Sequence, residues 1–290
     1  MRLSVYLFYH FRVKFVRAVK NNWGTLMGID GMRWFAPIGL AALLVSCGGG
    51  GSSPTPAPPP PADQAIGGAW VGADSSGLTI LALATESGRI HWIAPDTGEQ
   101  GFGTGSVNGS AVTINYTYVA PLIFVAPIGS ALADGSTSAT CSATGTIQER
   151  QSMAVNTDCT TSLGGTFSTS ASLTYDALYD RDSSLSVIAG NYDDFGLVVN
   201  INATGVIFEQ DPGTGCVING QVSIIDSEFN AYDVLVSYSN CIGIFAVLNG
   251  ANFTGLAILD NTVMPEEVTV GMTGAIGGIT YSVVLTMPRI

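Results

Sequence analysis

The sequence predicts an all-β fold: two tandem antiparallel β-barrel (or sandwich) domains after a signal peptide and a disordered tether. Three observations predict it. Apolar and polar residues alternate with period two through residues 112–118, 197–201, 232–238 and 267–272. Gly, Asn, Asp and Ser clusters separate such runs, and no stretch beyond a turn or two carries the i, i+3, i+4, i+7 spacing of an amphipathic helix. A set of turn and strand features also occurs twice in the same order. Many short strands with regular turn signals argue for an antiparallel barrel or sandwich. A length of 290 residues makes two folded units the natural expectation.

Composition narrows the class. Hydrophobic residues make up 47% and charged residues only 11%, too apolar for intrinsic disorder and too poor in charge for a coiled coil. The formal net charge is -12. The basic residues Arg2, Arg12, Lys14, Arg17, Lys20 and Arg33 all precede Cys47. Beyond it stand Arg89, Arg150, Arg181 and Arg289 against 21 acidic residues, a balance of −17 with no lysine. Such a surface repels phosphate backbones, so nucleic acid is excluded as a partner.

In chain order, residues 1–46 read as an over-extended start followed by a signal peptide. Residues 6–20 (YLFYHFRVKFVRAVK) are basic and aromatic, a composition that also suits a membrane-surface helix. Met32, directly before Arg33, makes a conventional start for the signal, with Met27 a second candidate. The apolar run at residues 34–45 (WFAPIGLAALLV) is too short to span a bilayer as a stable helix. It ends in Leu44-Val45-Ser46-Cys47, which resembles the lipobox of bacterial lipoproteins. The resemblance implies that Cys47 is diacylated and becomes the mature N-terminus, and two or three acyl chains make a durable anchor. Residues 47–64 continue as GGGGSSPTPAPPPPAD after the cysteine, a flexible then extended spacer. Gly48 rather than Asp follows the cysteine, which in the resembling lipoproteins implies release to the outer membrane, on its periplasmic or surface face.

The remainder divides into β domains at 65–180 and 181–290. Gly68-Ala69-Trp70 opens the first and Gly190-Asn191-Tyr192 the second, each followed by an apolar strand. The turns Ser87-Gly88-Arg89-Ile90 and Thr204-Gly205-Val206-Ile207 then match. So do the Gly turns at 96–98 and 212–215, and Gly105-Ser106-Val107 with Gly220-Gln221-Val222. The Gly-x-aromatic opening resembles the start of lipocalin-like and avidin-like calycin barrels, in which the aromatic closes one end of an eight-stranded barrel. Tyr-Asp-Arg-x-Ser-Ser-Leu at residues 179–185 resembles tandem-repeat proteobacterial lipoproteins, a likeness that brings no activity with it. The cluster Asp180-Arg181-Asp182 at the seam is expected to be an ion-paired brace.

With Cys47 taken by lipid, four cysteines remain, and an even number in an exported protein implies two disulfides. Cys141 and Cys159 lie nine residues either side of Arg150. Cys216 and Cys241 are symmetric about the loop Ser227-Glu228-Phe229-Asn230. Each pair therefore sits opposite across adjacent antiparallel strands, which predicts Cys141–Cys159 and Cys216–Cys241. Each bond is worth about 3 kcal/mol by the chain-entropy argument.

Candidate chemistry is sparse. No CxxC occurs and His91 is the one histidine beyond the signal, so neither a metal site nor a cofactor is expected. His91 alternates with Ile90 and Trp92, which reads as an outward-facing strand position. No G-x-S-x-G elbow exists and no catalytic residue is assigned. The carboxylate pairs Asp193-Asp194, Glu209/Asp211, Glu266-Glu267 and Asp180/Asp182 supply the chemistry for calcium or for glycoside cleavage, though solvated turn acids are the plainer account. Tyr116, Tyr118, Tyr232 and Tyr238 share faces with aliphatic residues, so they line a packed core or a ligand cavity. The expected role is a non-enzymatic, outer-membrane-anchored envelope lipoprotein, a binding or structural module. Its partners are the membrane through the anchor and either a small hydrophobic ligand or an envelope protein. The alternatives are a calycin-like carrier of a small hydrophobic ligand and an envelope hydrolase using paired carboxylates; oligomeric state stays open at this level.

Overall fold

Sixteen antiparallel strands follow one another as two meanders in a computed structural model that describes residues 62–120 and 132–290. The expected signal peptide, Cys47 and the expected tether up to residue 61 lie outside the described residues. The first meander comprises β1 (Gly68–Asp74), β2 (Thr79–Ala84), β3 (Arg89–Ala94), β4 (Glu99–Asn108), β5 (Ala111–Val119), β6 (Ser138–Gln148), β7 (Ser152–Thr161) and β8 (Thr166–Asp176). It closes into a barrel when β8 pairs with β1, Trp70 lying opposite Tyr175. Strand β7 shows why. Met153, Val155, Thr157, Cys159 and Thr161 are buried while every intervening residue is exposed, so one face must meet a core and the other water.

The second meander comprises β9 (Gly190–Asp194), β10 (Leu197–Ile201), β11 (Val206–Gln210), β12 (Val217–Ile224), β13 (Tyr232–Ser239), β14 (Asn252–Asp260), β15 (Glu267–Ile276) and β16 (Ile279–Pro288). It is a half-barrel. Strand β9 has only five residues, and it meets the chain just beyond β16 through the bridge Tyr192↔Arg289 and the bond from the Ile290 N–H to the Asn191 carbonyl, 2.9 Å.

Both meanders are closed at the base by one device. The Trp70 indole N–H donates to the Ile66 carbonyl four residues earlier, 3.1 Å. The Tyr192 hydroxyl donates to the Ile188 carbonyl, also four residues earlier, 2.7 Å. All four side chains are buried, with Trp70 and Tyr192 at 1% and 0% exposure. The repeated unit is thus Ile-x-Gly-x-aromatic, longer than the Gly-x-aromatic opening read from sequence.

The last matched feature of the repeat needs correction. Gly88 and Gly205 occupy equivalent turns, and their carbonyls accept from the N–H groups of Gly105 and Val222, both at 2.7 Å. Ile90 pairs with Gly103 and Ile207 with Gly220. Gly103, not Gly105, is therefore the counterpart of Gly220. The Gly-x-Val likeness was shared strand chemistry two residues out of register.

Both cysteine pairs are at disulfide distance, with Cα separations of 4.1 and 4.0 Å. Cys141 faces Cys159 directly across β6 and β7, around a turn in which Arg150 takes a left-handed φ of 52°. The second pair is not directly opposed. The β12–β13 ladder joins Val217 to Ser239 and Ile224 to Tyr232, a register that puts Asn240 beyond Ser239 where a facing cysteine would stand. Asn240 adopts φ 59° and takes up the extra residue, as asparagine tolerates, so Cys241 turns back to Cys216.

A short connection joins the meanders: a 3₁₀ turn at Ala177–Asp180 and a helical turn at Leu185–Ile188 capped by the Ser184 hydroxyl. Tyr179 stacks on Phe229 with centroids 4.9 Å apart. The expected brace at 180–182 is ion-paired outward rather than within itself. Asp180 joins Arg150, and Arg181 donates to Asn261. Arg181 is extended, so neighbouring side chains point to opposite sides. The outer side of β3 packs against β15, where Gly271 leaves room: a Cβ there would stand 2.7 Å from Ile93 Cγ2 and 3.2 Å from His91 Nε2.

Candidate functional site

The inward face of the first barrel mixes large aromatic and aliphatic side chains with four alanines. Ala82, Ala84, Ala143 and Ala171 face inward from β2, β6 and β8, and none fills the space its neighbours leave. A cavity of about 330 Å³ results, lined also by aliphatic residues of β2, β3, β5, β7 and β8. That is the lower end of the range for small-molecule sites. The half-barrel cavity, lined among others by Val199, Ile207, Val234, Met272 and Leu285, retains only about 100 Å³.

Aromatic residues frame the first cavity. Trp92 meets Tyr116 edge to face at 5.9 Å, and Tyr118 meets Phe167 in the same way at 5.9 Å. Trp70 stands at the base, bonded to Ile66 as above. Residues 63–65 are pinned across that base: the Gly109 N–H donates to Asp63 Oδ1 at 2.7 Å and the Glu149 N–H to Gln64 Oε1 at 2.7 Å. At the opposite end, the described lining is polar, with Asp74, Ser75, Ser76, Glu99, Ser168 and Thr169. The Cys141–Cys159 disulfide packs with Tyr118 at this end, tying β6 to β7 beside the cavity.

The polar groups differ in readiness to ionise. Burial pushes the Glu99 carboxyl up, partly offset by a hydrogen bond from the Tyr118 hydroxyl. Burial also raises Tyr118 far above the ordinary phenol range, with the Glu99 charge adding to it. For Asp74, burial works upward but is outweighed by bonds from the Ser76 hydroxyl at 2.6 Å, the Ser76 N–H at 2.8 Å and the Leu78 N–H at 2.9 Å. Its carboxyl is held below the usual range and stays charged. The chamber therefore offers an apolar body, a hydrogen-bonding Glu99–Tyr118 pair and an anionic rim.

Other candidates from sequence fall elsewhere. Tyr116 and Tyr118 line this cavity, whereas Tyr232 is fully buried and Tyr238 lines the half-barrel cavity. His91 is not outward in water. It lies on the outer face of β3 but is only 6% exposed, because the second meander covers it. Its Nε2–H donates to Gln100 Oε1 at 2.5 Å, and Gln100 Nε2 donates to Ser282 Oγ at 2.7 Å. Burial pushes the imidazole down to about 4, so it is neutral and unsuited as a base.

The acid pairs also separate. Asp193 accepts from the Gly196 N–H at 2.7 Å and Asp211 from the Gly213 N–H at 2.7 Å, ordinary turn roles. Glu266 pairs with Arg289 at 2.5 Å, and Glu267 faces Asp260 across β14 and β15. Asp194 and Glu209 instead share the half-barrel cavity. Among the described residues, no group of three His, Cys, Asp or Glu side chains is arranged to hold a metal ion. Sequence reading missed Glu99, which has no acidic neighbour within two positions to mark it. The inward alanines were the available signal for a hollow barrel, since period-two alternation fixes which residues face inward.

Compared with known proteins, the chain matches no protein-family model and no curated protein in sequence.

Proposed function

We propose that the protein is a non-enzymatic carrier that holds a small, mainly apolar molecule inside its first barrel, tethered to the outer membrane through lipid on Cys47. The carrying observation is the cavity of about 330 Å³ that the inward alanines leave between aromatic walls. Burying an apolar ligand there removes its surface from water at about 25 cal/mol per Å². The Glu99–Tyr118 pair and the rim with Asp74 select a ligand with one polar end directed outward, and the anionic rim disfavours acids. The calycin-like opening at Gly68-Ala69-Trp70 supports the same reading, as does the Leu44-Val45-Ser46-Cys47 motif for the anchor.

Native mass spectrometry of the protein taken from the cells that make it tests the carrier role. The expected spectrum contains the acylated chain plus a small-molecule adduct released on unfolding. An adduct-free protein that also takes up no neutral apolar probe would sink the proposal. For the anchor, radiolabelled palmitate should label the protein and labelling should vanish in Cys47→Ala.

A further inference from the structure

We propose that the half-barrel is a second, separate binding site, taking a small organic cation of the alkylammonium class with Glu209 and Asp194 as its counter-ions. The site is built from the register of the sheet. Glu209 on β11 faces Ile218 on β12, which faces Tyr238 on β13, so the three form one inward row. Asp194 lies two residues along β9 from the base-closing Tyr192, on the same face. All four groups converge on a cavity of about 100 Å³ whose remaining walls are Val, Ile, Leu, Ala and Met side chains.

Two observations separate this from a solvated acidic cluster. Glu209 is 4% exposed, yet no described hydrogen bond or ion pair reaches its carboxylate. Asp194 Oδ1 is buried without a hydrogen-bond partner. Buried polar atoms are nearly always satisfied, and an orphaned carboxylate oxygen costs a few kcal/mol. Among the described residues no basic side chain is left to supply the missing cation. There is no lysine beyond Lys20, and each arginine beyond Cys47 is committed elsewhere: Arg89 to Asp233, Arg150 to Asp180, Arg181 to Asn261 and Arg289 to Glu266. A metal ion does not suit walls this apolar. A compact ammonium with an alkyl body does, its charge between the carboxylates and its body against the aliphatic wall and the Tyr238 ring.

The electrostatics agree. Burial pushes Glu209 up to about 7, with Asp194 and Asp211 adding to it, and Asp194 up to about 6, with Asp193 and Asp211 adding to it. Tyr238 is raised by burial and by both acids. These are the titratable groups that face the cavity from β9, β11 and β13. A cation and the Glu209 proton therefore compete. Affinity is expected to fall about tenfold per pH unit below 7.

The test is titration of the full-length protein with tetramethylammonium and ethylammonium at pH 8 and pH 5.5, read by calorimetry and by thermal midpoint. Saturable binding at pH 8 is expected, with proton release and at least a tenfold loss at pH 5.5. Glu209→Gln, which removes a destabilising buried charge and should fold, is expected to abolish it. Ala143→Phe, which fills only the first barrel, should leave it unchanged, so the carrier proposal and this one fail independently. No saturable binding would overturn the inference. So would equal effects from sodium chloride or tert-butyl alcohol, or unaltered binding in Glu209→Gln.

Discussion

His91 and Glu209 are both buried, and burial moves them in opposite directions because each keeps its neutral form. For His91 the folded value is about 4 against 6.5 for the free side chain. The unfolded chain binds the proton more readily, so stability is full above pH 6.5 and is lost as pH falls toward 4. The full shift corresponds to about 3 kcal/mol. His91→Gln, able to keep a bond to Gln100, should flatten denaturation midpoints between pH 6.5 and 4; an unchanged slope would refute that role. For Glu209 the folded value is about 7 against 4.5. Here stability is present at and below pH 4.5 and is lost as pH rises through 7. Glu209→Gln should therefore stabilise by about 3 kcal/mol at pH 8 and change little at pH 4, checked by urea unfolding at the two values. Neither environment was legible in sequence. His91 alternates correctly as an outward residue, but what covers it, Gly271 and Ser282, lies about 180 residues away in the chain. Glu209 and Asp194 come to one cavity only through the β9–β10–β11 ladder, with β10 between them.

Among the elements, strands were legible where one face is wet and turns where a left-handed residue is needed. The hairpin around Arg150 follows from the symmetric cysteines Cys141 and Cys159, because β6 and β7 run without interruption. Cys216 and Cys241 were paired correctly with the wrong local geometry, because a bulge at Asn240 leaves no mark in the period-two pattern. The contact between meanders was invisible, being made by outer faces that alternation assigns to solvent. That contact makes a sharp prediction at β15. Gly271→Val would thrust a side chain into Ile93 and His91, and overpacking of this kind costs about 1–3 kcal/mol. Denaturant unfolding should show the loss, and His91 should regain an acid titration nearer its ordinary value by NMR. A variant as stable as the parent would show that β3 and β15 do not abut.

At the scale of the molecule, one repeated meander yields two interiors. The Ile66–Trp70 and Ile188–Tyr192 closures are the same device, while the disulfides join different strands in the two halves, β6 to β7 against the flanks of β12 and β13. Cavity volume then separates them, about 330 Å³ in the barrel against about 100 Å³ in the half-barrel, with four alanines lining the first cavity and one, Ala257, the second. The tandem β-fold was readable from turn chemistry. The inward alanines hinted at a hollow barrel, but the difference in volume between the two interiors was not readable, because it depends on which inward positions oppose one another across eight strands. The balance of −17 beyond Cys47 fits a ligand without negative charge. The most direct measurement is a fluorescence titration of the protein with a neutral naphthylamine probe, compared with Ala143→Phe and Ala82→Phe, each checked for folding by circular dichroism. One saturable site in the parent, lost in both folded variants, is the expected result. A parent that binds no probe, or folded variants that bind it unchanged, would contradict a ligand-holding first barrel.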